Sequence, residues 1–97
     1  MSRAEILDML SQHREEFTRQ FRVRSLAVFG SVARGEPRPE SDVDILVSFE
    51  EPPGFDGYMT LKWRLEELLG ARVDLVMEGA LRPEARAVVE AEAIRVA

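Results

Sequence analysis

The side chains able to do chemistry cluster in two stretches, Gly30-Ser31-Val-Ala-Arg34-Gly35-Glu36 and Ser41-Asp42-Val-Asp44-Ile-Leu-Val47. In an extended chain, residues two apart share a face, so Asp42 and Asp44 project side by side. Their neighbours Val43, Ile45, Leu46 and Val47 are those of a central, buried strand. Carboxylates this close repel unless a cation or hydrogen bonds are shared, and an uncompensated buried charge costs several kcal/mol. An oxygen-only donor set favours Mg²⁺ or Mn²⁺ over zinc. A third acid, Asp74, stands inside Arg72-Val-Asp-Leu-Val-Met77, where strand propensity disfavours it. If that strand lies beside the Asp-x-Asp strand, three carboxylates converge. Such a set can hold two ions roughly 3.5–4 Å apart for phosphoryl transfer. Gly30 lets backbone N–H groups approach a phosphate, and the Ser31 hydroxyl adds one bond.

These residues need elements to hold them. Ile6, Leu7, Leu10, Phe17 and Phe21 recur at helical spacing, which predicts one helix over 3–20, capped by Ser2 with Glu5 in capping-box position. Residues 23–29 read as a strand ending at Gly30-Ser31, and 35–41, with two prolines, as a loop. Residues 42–49 form a second strand by alternation, and 50–57, with Pro-Pro-Gly and Asp-Gly, a second loop. Leu61, Leu65, Leu68 and Leu69 mark a helix over 58–69, with Gly70 beyond its end. A third strand covers 72–77 and a breaker stands at Gly79. A last helix runs from Pro83 to about Ala93, with Ala85, Val88 and Val89 inward. The tail 94–96 either frays or adds a short edge strand. The order α-β-β-α-β-α predicts an α/β domain over residues 1–97: a small mixed sheet of three to four strands with helices packed on it.

Composition trims the functions open to this chain. Ninety-seven residues fit one domain, and with no Cys there is no disulfide scaffold, thiol nucleophile or Cys-based zinc site. Eighteen acids against 13 bases give −5, which leaves no basic face for direct nucleic-acid binding. No apolar run is long enough for a membrane span, and the first ten residues lack the apolar stretch of a secretory signal, so a cytoplasmic location is expected.

Plainer roles stand beside the chemical ones. The three Asp residues are alternatively solvated edge-strand acids, and Ser31 caps the turn that follows it. Arg34 either contacts phosphate or pairs with Glu36 or Asp44. Arg38 is read as a solvated loop charge, and Arg14, Arg19, Arg22 and Arg24 as a solvated face. His13 is read as packing at a helix edge rather than as a base. Met59 and Trp63 fall on the side of their helix away from its leucines. They serve a protein contact, including self-association, or are covered by the loop 52–55.

The compound pattern, Gly-Ser, ten residues, Asp-x-Asp and a later strand Asp, resembles the DNA polymerase beta-like nucleotidyltransferase superfamily. Gly30-Ser-x-Ala-Arg-Gly-Glu36 with Ser41-Asp-x-Asp44 is similar, more narrowly, to the minimal nucleotidyltransferases, stand-alone prokaryotic domains often encoded beside a HEPN-domain partner. The resemblance covers essentially the whole chain. It implies that Asp42 and Asp44 bind two Mg²⁺ ions, that Asp74 completes the site and helps activate an attacking hydroxyl, and that Gly30 and Ser31 hold the β- and γ-phosphates of ATP or another NTP. It further implies AMP transfer to a tyrosine of a HEPN toxin, the chain acting as antitoxin. The larger members carry a separate substrate-binding domain, for which this chain has no room. Two other functions remain: an antitoxin acting by contact or nucleotide binding alone, and a nucleotidyltransferase for a small molecule.

Overall fold

The computed structural model describes residues 1–36 and 42–97. Ser41 of the Asp-x-Asp motif, Arg38 and most of the proline loop read at 35–41 lie outside the described residues. Helices α1 (Arg3–Gln12) and α2 (Arg14–Gln20) lead into β1 (Val23–Phe29) and a single helical turn, α3 (Gly30–Ala33). Then come β2 (Val43–Phe49), α4 (Gly54–Leu69), β3 (Val73–Met77), a 3₁₀ turn at Glu78–Ala80, α5 (Pro83–Glu92) and β4 (Ile94–Arg95). The sheet order is β3-β2-β1-β4. β1 pairs antiparallel with β2 and with β4, and β3 runs parallel to β2. The α/β mixed sheet expected from the sequence is therefore present, with α4 as the crossover that a parallel pair requires.

Alternation sorts the strands into two faces. Val43, Ile45 and Val47 lie in register with Val73, Leu75 and Met77, and Ile45 and Val47 face Val28 and Leu26 across β1. Most of this row joins Leu10, Phe17, Leu61 and Leu65 in one buried core. Helices α1, α2 and α4 therefore cover one face, and the intervening positions, including Asp44 and Asp74, point to the other. Ser2 accepts from the Glu5 N–H at 3.2 Å while Glu5 accepts from the Ser2 N–H at 3.0 Å, completing the capping box. Gly70 closes α4 at φ 61°, with its N–H bonded to the Glu66 carbonyl. The tail forms β4 on the free side of β1 rather than fraying.

Four expectations need correction. The helix read over 3–20 breaks at His13. Its ring Nδ1 lies 2.9 Å from the Met9 carbonyl, the acceptor that would continue the helix, and its backbone N–H turns to the Leu10 carbonyl instead. The loop read over 50–57 is cut short, because α4 begins at Gly54. Pro53 occupies the cap position, and a Cβ on Gly57 would come 3.1 Å from the Pro53 Cβ. Here glycine lets proline pack on the first helical turn instead of breaking it. Val88, read as inward, is 64% exposed, and of that set only Val89 is buried. Trp63 is 59% exposed and Phe55 77%, so the Pro52–Phe55 segment does not cover the tryptophan. Among the described residues, no helix is long and apolar enough to cross a membrane.

Candidate active site

Asp44 lies directly opposite Asp74 in the parallel register of β2 and β3, and opposite Phe29 in the antiparallel register of β1 and β2. One row across three strands therefore carries two carboxylates on the face away from the core. Phe29 leads straight into α3, so the end of β1 delivers Gly30 against Asp44. Gly30 has φ +73°, and a Cβ built on it would run into the Asp44 carboxylate. Only glycine suits this position, for its backbone angle and for the approach it allows.

The cleft around this row has a volume of about 660 Å³. Asp42, Asp44 and Asp74 line it together with Phe29, Gly30, Ser31, Arg34 and Glu92. All six candidate residues from the sequence reach this one place. Ser31 is the second residue of α3 rather than its cap, which is Phe29, and the Ser31 carbonyl accepts from the Glu36 N–H at 2.8 Å. Asp44 is half-buried, whereas Asp42 and Asp74 are exposed. β2 is indeed interior to the sheet, and β3 is an edge strand, so the solvated-acid description does fit the exposure of Asp74.

Electrostatics single out Asp44. Its carboxyl is held above the ordinary range, first by burial, then by the neighbouring charges of Asp74 and Asp42, with Arg34 pulling the other way. Asp42 turns partly aside, with Oδ1 3.5 Å from Arg72 Nε in an exposed pair. Among the described residues, no three acidic or histidine side chains are gathered tightly enough to hold an ion as they stand. The donor chemistry nonetheless fits a hard divalent cation. The donors are all carboxylates on one face, and the like-charge crowding at Asp44 is what a cation would relieve.

Glu92 is the residue that the sequence reading missed. Its Oε1 accepts from the Gly30 N–H at 3.0 Å, and its Oε2 accepts from Arg34 Nη1 at 3.0 Å. Arg34 thus pairs with Glu92 more closely than with Glu36, at 4.0 Å, and the pairing weighed with Asp44 gives way to this one. Glu92 approaches from 62 residues away, so local spacing carries no trace of it. A weak signal does exist: Glu92 is the last residue of α5, the end of a helix where the macrodipole disfavours an acid.

Residues 10–96 match the family model described as nucleotidyltransferase domain. A protein named protein adenylyltransferase MntA, from Thermococcus cleftensis, is 50% identical over 78 residues, covering 80% of this chain and 79% of that protein. A solved structure described as a minimal nucleotidyltransferase is similar at TM-score 0.83 and 42% identity, covering 97% of this chain and 95% of that one. The fold also matches, at TM-score 0.67 and 17% identity, a chain in the complex of a tri-AMPylated Shewanella oneidensis HEPN toxin with an MNT antitoxin, covering 94% of this chain and 71% of that one.

Proposed function

This chain belongs to the nucleotidyltransferase domain family, and on that premise we propose that it transfers AMP from ATP to a hydroxyl of a HEPN-domain protein, a tyrosine hydroxyl, and so acts as an antitoxin. The observation that carries this reading is the Asp44–Asp74 pairing beside Gly30, two acids and a close-approach glycine at one cleft. The name of the 50%-identical relative supports adenylyl transfer to protein, and the AMPylated toxin complex of the same fold supports the class of acceptor. Residues 1–97 act in this reading as one catalytic unit.

Each group has a task. Asp42, Asp44 and Asp74 would hold two Mg²⁺ ions, or Mn²⁺, with Asp42 leaving its exposed pair with Arg72. What such ions supply when bound is neutralisation of the triphosphate, which a chain of charge −5 otherwise repels. The Gly30 N–H, the Ser31 hydroxyl and Arg34 hold the β- and γ-phosphates. Asp74 draws the proton from the acceptor hydroxyl, whose oxygen attacks the α-phosphorus. The bond to the β-phosphate oxygen breaks and pyrophosphate leaves. In this reading Trp63 serves the protein contact, a role supported by its exposure on α4 one turn from the half-buried Met59.

The test is transfer of labelled AMP to the HEPN protein. The paired substitution Asp42→Asn and Asp44→Asn keeps shape and removes charge, so transfer should vanish while the complex survives. Trp63→Ala should weaken the complex by about 2 kcal/mol. If the doubly substituted protein still neutralises the toxin fully, contact rather than catalysis is the function. Labelling of a small-molecule hydroxyl in place of the toxin would move the acceptor class.

A further inference from the structure

Glu92 occupies both charged-acceptor positions that the reaction needs. The Gly30 N–H and the Arg34 guanidinium are the donors assigned above to phosphate, and each already donates to one oxygen of this carboxylate at 3.0 Å. The lone Gly30 N–H cannot serve a carboxylate and a phosphate oxygen at once with good geometry, and although Arg34 has further N–H groups, its pairing with Glu92 fixes the guanidinium and offsets its charge. Glu92 also stands where its own helix disfavours it, at the C-terminal end of α5, and it adds to the acids that crowd Asp44. Helix stability and local charge balance therefore both argue against an acid here. What holds it is the same pair of donors.

We propose that Glu92 is an internal stand-in for nucleotide phosphate: its carboxylate keeps Gly30 and Arg34 occupied until the polyphosphate of the nucleotide takes both donors from it. The proposal rests on the nucleotidyl-transfer reading and specifies how that site is filled. The exchange is confined to a side chain. β4 follows at Ile94 and is pinned to β1 through the Ala27–Arg95 and Val28–Ile94 pairs, so α5 need not move for Glu92 to turn away. The consequence is a polyphosphate requirement. A ligand with one phosphate competes poorly for two donors already bridged, whereas a tri- or diphosphate offers several oxygens to replace one carboxylate.

The experiment measures binding of magnesium ATP and of magnesium tripolyphosphate by calorimetry to the wild-type protein, to Glu92→Gln and to Glu90→Gln. Glu90 lies on α5, exposed, and carries the same charge without lining the cleft. Glu92→Gln should tighten both ligands about tenfold, while Glu90→Gln should change them less than about twofold. Equal gains from the two substitutions would reduce the effect to bulk charge and overturn the proposal. So would weaker binding by Glu92→Gln, which would make Glu92 a support for the loop. Should Glu92→Gln not fold, carbon NMR of the wild-type Glu92 carboxylate decides. Its resonance and the Gly30 amide should shift together as ligand is added, and a carboxylate resonance unmoved at saturation would overturn the proposal. Binding that leaves Glu92 indifferent defeats this proposal alone. No binding by either wild type or Glu92→Gln at millimolar ligand defeats it together with the nucleotidyl-transfer reading.

Discussion

The Asp44 carboxylate sits under the combined pressure of burial, Asp74 and Asp42, beside a glycine whose missing Cβ leaves it space. Its native pKa is raised, so the native state holds the proton more tightly than the unfolded chain does. The stability linked to this group is fully present below its ordinary value of 3.8 and is lost as pH rises through the raised native value. Metal-free protein at neutral pH therefore carries a penalty at this residue. Asp44→Asn should raise the metal-free melting temperature by a few degrees at pH 7, and the gain should vanish below the ordinary carboxylate range. A lower melting temperature at pH 7 would mean that Asp44 is held by favourable contacts instead. Gly30→Ala makes the complementary test. The added Cβ meets the Asp44 carboxylate, and φ +73° is strained for any side chain. Unfolding free energy should fall by about 1–3 kcal/mol in denaturant melts, with nucleotide binding lost. A neutral result would show that the Gly30–Asp44 approach is looser than the structure has it.

Between elements, the clearest tie is the fork from Arg64 on α4 to Glu16 on α2. Nε donates to Oε2 at 2.5 Å and Nη2 donates to Oε1 at 2.9 Å. Arg64 holds the Glu16 carboxyl below the usual range, chiefly through this hydrogen bond. A depressed pKa contributes stability above the unfolded value, and that contribution is lost as pH falls through the native one. Arg64→Ala should cost about 1 kcal/mol at pH 7, a modest figure because both side chains are partly solvated. The difference from wild type should shrink as the pH falls below 4.5, the ordinary value of Glu16. A pH-independent loss would assign the effect to packing of the arginine stem. The elements themselves were unequally legible in sequence. Alternation made the strands β2 and β3 legible, whereas the shared face of Asp44 and Asp74 followed only if the two strands were neighbours, a condition that the parallel register meets. The break at His13 was not legible, because it depends on a ring nitrogen finding the Met9 carbonyl. Nor was the start of α4, where a Pro-Pro-Gly run reads as a turn until Pro53 is seen packed over Gly57. Glu92 needed the whole chain to come round, since only the return of α5 beside α3 sets it against Gly30.

At the scale of the molecule, the difficulty is charge. A chain of net −5 presents Asp42, Asp44, Asp74 and Glu92 at one cleft, with Arg34 the cation lining it among the described residues. In the proposed reaction ATP alone would meet repulsion there, and the donors assigned to its phosphates are already engaged by Glu92. Mg²⁺ alone meets acids that are not gathered into a ligand set, with Asp42 drawn toward Arg72. Each ligand therefore lacks what the other brings, and binding should be strongly cooperative: magnesium draws the acids together, and the neutralised polyphosphate then competes for Gly30 and Arg34. A ligand present at 100 times its dissociation constant stabilises the native state by about 2.7 kcal/mol. For a chain of this size that is a rise in melting temperature of roughly 10 °C or more. Thermal melts should show that rise with MgCl₂ and ATP together and only a few degrees with MgCl₂ alone or with ATP in EDTA. The joint substitution Asp42→Asn and Asp44→Asn should abolish the joint effect while leaving the metal-free melt intact or higher, since it also removes the repulsion described above. Full stabilisation by ATP in EDTA would show that the three acids are not needed to admit the nucleotide, and would take the metal site out of the reaction.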